Sequence, residues 1–170
     1  MTYRMLGGLI ALVIIAIDQL QKWHMLEVVR IAERPPIEVT SFFNLVMVWN
    51  EGVSFGLFSG HGGAGVWFLI ALALAISTAM AIWLWRAQDR FISIAISFVI
   101  GGALGNVIDR VRFGAVADFF DFHYAGWHYP AFNIADSAIF IGVALLLWDS
   151  FFRQPRAKKP SKEALHKDAP

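Results

Sequence analysis

Four apolar runs, at about residues 5–23, 65–85, 91–108 and 134–152, dominate this chain of 170 residues. Each is near the roughly 20 residues that a helix needs to cross the hydrocarbon core of a bilayer. Only 16% of the residues are charged and 58% are hydrophobic, where a soluble domain of this length carries about 25% charged residues. The length fits one domain. The expected fold is therefore an all-α polytopic membrane protein with four transmembrane helices. Residues 1–152 form the membrane domain and 153–170 a basic tail. The second and third runs are separated only by Arg86-Ala-Gln-Asp-Arg90, so they form a tight antiparallel hairpin. The first run carries Arg4 before it but ends in Asp18-Gln-Leu-Gln-Lys22 without a small-x-small cleavage site, so a retained span is expected rather than a signal peptide.

Charge distribution orients the spans. Arg4, Arg86, Arg90 and the tail residues Arg153, Arg156, Lys158, Lys159, Lys162 and Lys167 fall on one side. The other side holds residues 24–63, where Glu27, Glu33, Glu38 and Glu51 outweigh Arg30 and Arg34, and residues 109–133. The positive-inside rule puts both termini in the cytoplasm. Residues 27–63 are too polar to span. Alternation begins at Ile37-Glu-Val39-Thr40, Phe42 to Trp49 is almost continuously apolar, and Asn50-Glu-Gly52 and Gly60-His-Gly62-Gly63 are turn signals. A small β-cradle or hairpin on the outer membrane boundary is expected there. Residues 113–122 read as a linker hugging the membrane surface.

Net charge is +1, and no basic stripe interleaved with aromatics appears, so no nucleic-acid partner is expected. Cysteine is absent, which removes thiolate nucleophiles and thiolate metal sites. His24, His61, His123, His128 and His166 show no metal-ligand spacing and read as interfacial or solvated. Neither a metal nor another cofactor is expected. Ser54 and Ser137 have no evident base partner in the sequence.

What remains is a set of carboxylates and amides at the ends of two spans. Asn106-Val-Ile-Asp109-Arg110 closes the third, with Asp118 just beyond, and Asn133-Ile-Ala-Asp136 opens the fourth. A carboxylate at mid-helix costs roughly 2.5–3.5 kcal/mol on insertion scales, so several at one membrane face point to use. The three-residue spacing puts each Asn and Asp on one helix face. Gly101-x-x-x-Gly105 is a small-residue face that lets another span approach below them, and Ala135 beside Asp136 is also small. Pro130 suits entry to the fourth helix, whose positive N-terminus favours an ionised Asp136. Two carboxylates held together share one proton. One can then take a proton from water while the other donates to a scissile carbonyl oxygen, which is aspartic-protease chemistry. For Asp109 and Arg110 a structural pairing is the stronger reading. Asp18 and Lys22 at i, i+4 read as a structural intrahelical ion pair near the interface.

Five segments, in order, resemble the bacterial signal peptidase II family. They are Asp18-Gln-x-x-Lys22, Asn50-x-Gly52 followed by Phe55, Gly101-Gly-Ala-x-Gly105-Asn106-x-x-Asp109-Arg110, Val116-x-Asp118-Phe119, and Phe132-Asn133-x-Ala135-Asp136-Ser137. Trp49 stands where the family usually has Tyr, and Val53-Ser54 replaces a pair of smaller residues. The resemblance implies an inner-membrane aspartyl endopeptidase that cuts prolipoproteins before a diacylglyceryl-modified cysteine and is sensitive to the cyclic lipopeptide globomycin. It implies Asp118 and Asp136 as the catalytic dyad, facing the periplasm beside membrane lipid. Asn50, Gly52, Asn106, Asp109, Arg110, Asn133 and Ala135 would line or support the site. The competing readings are a proton-coupled transporter, which would place its carboxylates nearer the midplane and often in inverted repeats; a metal-dependent lipid-phosphate enzyme, which chelators would inhibit; and a non-catalytic scaffold, which leaves the carboxylate cost unexplained.

Overall fold

A computed structural model describes residues 2–52 and 64–153. The tail from Gln154 onward and residues 53–63, with the Ser54, Phe55 and Gly60 signals, lie outside the described residues.

Among the described residues, four helices are long and apolar enough to cross a membrane. They are α1 (Tyr3–Trp23), α2 (Ala64–Arg86), α3 (Arg90–Phe113) and α4 (Ile134–Phe152). A π-turn at His24–Val28 and a 3-10 turn at Ile31–Glu33 prolong α1. The most apolar stretch of α3 is 61% buried, against 22%, 11% and 17% for those of α1, α2 and α4. The bundle is thus built around α3. Ala11, Leu84, Ile96 and Ile100 form its core. Leu12, Phe68, Leu72, Phe140 and Phe151 point outward, as lipid-facing residues do.

Glycines set how closely α1 and α4 approach α3. A Cβ on Gly101 would lie 2.8 Å from Ile14 Cβ of α1, and one on Gly102 would collide with the Ala135 carbonyl of α4. The Gly101-x-x-x-Gly105 face therefore meets α1, and Gly102 meets α4.

α3 runs past the expected end at Ile108 to Phe113. Its last turn is helical because Asn106 and Asp109 are buried among partners from other helices. It stops at Gly114, whose φ of 75° suits an αL cap and whose N–H reaches Arg110 O at 3.0 Å. At the other end Asp89 caps α3, accepting from Phe91 N at 2.8 Å and Ile92 N at 3.2 Å.

The cradle is a four-stranded antiparallel sheet, ordered β1-β2-β3-β4. β1 (Ile37–Thr40) and β2 (Phe43–Asn50) come from the expected segment. β3 (Val116–Tyr124) comes largely from the stretch read as a surface linker, and β4 (Trp127–His128) lies beyond it. The segment is a strand and not a linker: Val116 to Phe119 are buried in succession, so no clean alternation marks it. Met25, Ile31, Ala117 and Phe119 form a second core that seats the sheet on the end of α1.

The β2–β3 register shifts by one residue. Leu45 pairs with Phe120, but Val48 pairs with Asp118 and Asn50 with Val116. Without the extra residue in β2, Met47 would oppose Asp118 and Trp49 would be its diagonal neighbour. The bulge puts Asn50 there instead.

Candidate active site

The polar ends of α1, α3, β3 and α4 meet at one buried place. Asp18, Asp109, Asp118 and Asn133 are 0% exposed, and Lys22 only 2%. Such burial demands that every charge and amide have partners.

α4 begins with a capping box. Asn133 Oδ1 accepts from Asp136 N at 2.9 Å, and Asp136 Oδ2 accepts from Asn133 N at 3.2 Å. With its oxygen held by the helix, Asn133 turns its Nδ2 to Asp118 Oδ1 at 2.8 Å, with Asn106 Oδ1 and Ala117 O each at 3.2 Å. Asn133 thus touches both carboxylates, Asp118 through its side-chain amide and Asp136 through its backbone N–H. Asp118 Oδ2 accepts from Asn50 Nδ2 at 2.9 Å, and Asp136 Oδ1 from Asn106 Nδ2 at 2.7 Å.

Beneath the two aspartates lies a charged layer. Lys22 Nζ is 2.9 Å from Asp18 Oδ2, 2.7 Å from Asp109 Oδ2 and 3.2 Å from Asn106 Oδ1. The pair expected within α1 is therefore buried and links α1 to α3. Asp18 Oδ1 also accepts from Ala135 N at 2.9 Å, and Asp109 Oδ2 from Ala117 N at 3.2 Å. Gln19 went unassigned in the sequence, yet its Nε2 reaches Asp18 Oδ2, Gly105 O and Asp109 Oδ1 at 3.0–3.3 Å. Its spacing from Lys22 was the available signal, since residues three apart share a helix face.

Gly52 has a φ of +97° and donates its N–H to Asn50 Oδ1 at 2.9 Å, closing the turn that orients Asn50. Trp49 packs on Phe113 with centroids 5.3 Å apart. Arg110 is half-buried within the field of Asp136, Asp118 and Asp109, and its Nε has no hydrogen-bond partner among the described residues. Among the described residues, Asp121 joins no part of this network. It pairs instead with His128 Nδ1 at 2.9 Å and Asn44 Nδ2 at 3.3 Å, so His128 is tied to a carboxylate rather than merely solvated.

Burial pushes the Asp118 carboxyl up to about 7, the Asn50 hydrogen bond opposes this, and the charge of Asp136 raises it further. Asp136 is less buried and lines a groove of about 360 Å³ with Tyr129, Phe132, Ser137, Phe140 and Ile141. A carboxyl able to hold a proton near neutrality thus sits beside a second that faces an apolar groove. That arrangement suits acid–base attack of water on an apolar segment.

The family described as "Signal peptidase (SPase) II" matches residues 10–152. The lipoprotein signal peptidase of Beijerinckia indica subsp. indica is 44% identical over 151 residues, covering 89% of this chain and 90% of that protein. That of Rhodopseudomonas palustris (strain TIE-1) is 42% identical over 164 residues, covering 94% and 100%. A bacterial membrane enzyme solved by the in meso method superposes with a TM-score of 0.75 at 32% identity, covering 87% of this chain and 94% of its own.

Proposed function

The chain belongs to the signal peptidase II family and is an aspartic endopeptidase that removes signal peptides from prolipoproteins; we propose that Asp118 and Asp136 are its catalytic dyad. The observation that carries this is that Asn133 donates to both carboxylates, from its side-chain Nδ2 to Asp118 Oδ1 and from its backbone N–H to Asp136 Oδ2, while its Oδ1 caps the Asp136 backbone N–H. Asp118, raised by burial to about 7, holds the proton that the pair shares. Asp136, at the groove, accepts a proton from the attacking water. Asp118 protonates the scissile carbonyl oxygen, and neither a metal nor a covalent intermediate is required. Asn50, Asn106 and Asn133 hold the two carboxylates. Arg110, whose Nε has no partner among the described residues, is read as a binder of substrate backbone.

The substrate is a prolipoprotein cut before its diacylglyceryl-modified cysteine. Its signal helix lies against the apolar groove of α4 while its acyl chains stay in the membrane lipid. Burying an acyl CH₂ contributes about 0.8 kcal/mol, so the lipid itself supports selectivity. Globomycin, a cyclic lipopeptide, would occupy the same groove. The excess of Arg and Lys around Arg4, Arg86, Arg90 and the tail favours an inner-membrane protein with both termini cytoplasmic and the dyad facing the periplasm.

The test is cleavage of a diacylglyceryl-modified prolipoprotein by purified enzyme in detergent with EDTA present. Wild type should cleave, whereas Asp118→Asn and Asp136→Asn, each folded, should lose at least about 10²-fold in rate. Activity in either variant at the wild-type rate would remove that residue from the dyad. Inhibition by EDTA would instead favour metal-dependent chemistry.

A further inference from the structure

We propose that Lys22 is a positioning residue for peptide cleavage: its ammonium holds the Asn106 amide in the one orientation that presents an N–H to Asp136. The proposal rests on the dyad reading and goes beyond the structural ion pair expected from the i, i+4 spacing.

A lysine ammonium has three N–H donors and no acceptor. All three have partners here: Asp18 at 2.9 Å, Asp109 at 2.7 Å and Asn106 Oδ1 at 3.2 Å. Only the oxygen of Asn106 can face such a group. The amide orientation is thereby settled by chemistry, independently of how the two ends of the side chain are drawn. With Oδ1 turned to Lys22, Nδ2 must turn the other way, and it lies 2.7 Å from Asp136 Oδ1.

Asn133 supplies the comparison. Its own oxygen is fixed by the helix cap, so its Nδ2 reliably faces Asp118. It cannot do the same for Asn106. Its two amide hydrogens serve three acceptors, Asp118 Oδ1 at 2.8 Å and Ala117 O and Asn106 Oδ1 at 3.2 Å. Lys22 is the donor that decides Asn106. Asp18 and Asp109 in turn hold Lys22, and Asp18 is itself anchored on Ala135 N at 2.9 Å. Asp118 receives two side-chain amides, those of Asn133 and Asn50, whereas Asp136 receives that of Asn106. The α4 cap fixes the Asn133 amide, and Lys22 fixes the Asn106 amide.

The test compares Lys22→Met, Asn106→Ala and the double variant on the lipid-modified prolipoprotein in detergent, with Asp136→Asn alongside. Thermal unfolding is followed for each. Loss of one preorganised donor lowers kcat by about 10²-fold, so each single variant should show a fall of that order with KM changed less than about threefold. The double should lie within about threefold of either single, because both remove the same hydrogen bond. Multiplying losses, or a Lys22→Met kcat within about threefold of wild type, would overturn the proposal. If Lys22→Met does not stay folded with two carboxylates uncompensated, Lys22→Met/Asp109→Asn is measured against Asp109→Asn alone, with the same split between kcat and KM expected. Should that pair match Asp109→Asn in kcat, Lys22 serves only as a counter-charge and the proposal fails. An Asp136→Asn enzyme with wild-type activity would overturn the dyad itself, a result separate from any of these.

Discussion

Gly105 and Asp18 touch so closely that a Cβ on the glycine would sit 2.6 Å from Asp18 Oδ2. The neighbouring Gly102 is tighter still, its added Cβ colliding with the Ala135 backbone carbonyl of α4. A carboxylate held by Lys22 and Gln19 can move a little at the expense of its hydrogen bonds, whereas helix backbone cannot move without the whole of α4. Overpacking typically costs about 1–3 kcal/mol. Gly102→Ala is therefore expected to lower thermal stability in detergent more than Gly105→Ala. Gly105→Ala should lose activity out of proportion to its stability, because it disturbs the layer beneath the dyad. Equal melting temperatures for both variants and wild type would show that the helices have slack at these contacts.

The raised Asp118 carboxyl gives the reaction a pH dependence of known sign. Below about pH 7 Asp118 keeps its proton and can act as the acid; above it, that proton is lost. The kcat/KM profile should descend on the alkaline side with a midpoint near 7, a value belonging to the coupled pair. The Asn50 hydrogen bond stabilises the anion, so Asn50→Ala should move the limb to higher pH while lowering the maximum. Stability follows the same proton. The unfolded carboxyl ionises near 3.8 and the folded one near 7. Between those values the unfolded state binds fewer protons, and the native state loses stability as pH rises. Asp118→Asn removes that loss, so its melting temperature should gain on wild type from pH 4 to pH 7 and no further above. A limb that does not move in Asn50→Ala would show that another group sets it.

Much of this molecule is legible in its sequence, and the physical reasons are uneven. The four spans announced themselves because lipid demands long apolar runs, and Asn133 and Asp136 stood at a helix entry where an amide and an acid belong. β3 was hidden because Val116, Ala117, Asp118 and Phe119 are all buried, erasing the two-residue period that reveals a strand. The reach of Lys22 was hidden for a different reason. Spacing within α1 shows Asp18 four residues away, but nothing in one sequence shows that α3 delivers Asp109 and Asn106 to the same nitrogen. The bulge in β2 is likewise invisible locally, although it decides whether Asn50 or Trp49 stands beside Asp118.

At the opposite end of the bundle, Asp89 joins the start of α3 to the end of α4. It caps α3 and pairs with Arg153, whose Nη2 lies 3.0 Å from Asp89 Oδ2 and whose Nη1 lies 2.7 Å from Asp149 Oδ1. The Arg153 hydrogen bond, with those from Ile92 and Phe91, holds the Asp89 carboxyl down at about 2 against the effect of burial. A depressed acid stabilises the fold above its unfolded value of 3.8 and loses that contribution as pH falls through about 2. Asp89→Ala should cost about 1 kcal/mol through the lost cap and leave peptidase activity of the folded enzyme unchanged. Wild type and variant should converge in melting temperature on acidification from pH 4 to pH 2. A variant that loses activity without losing stability would indicate coupling between the two ends of the bundle.

Asn133 performs two tasks that substitution can separate. Its oxygen caps α4 and its amide nitrogen serves Asp118. Serine caps as well as asparagine does but has no second donor to extend to Asp118. Asn133→Ser should therefore be more stable than Asn133→Ala by about 1 kcal/mol, the usual contribution of a cap. Both should fall about 10²-fold or more in kcat, since each lacks the preorganised N–H at the dyad. Thermal unfolding and single-turnover cleavage, run on both variants, give the two numbers independently. If Asn133→Ser recovers activity along with the cap, the residue acts only by starting the helix, and the orientation of Asp118 must then rest on Asn50 alone.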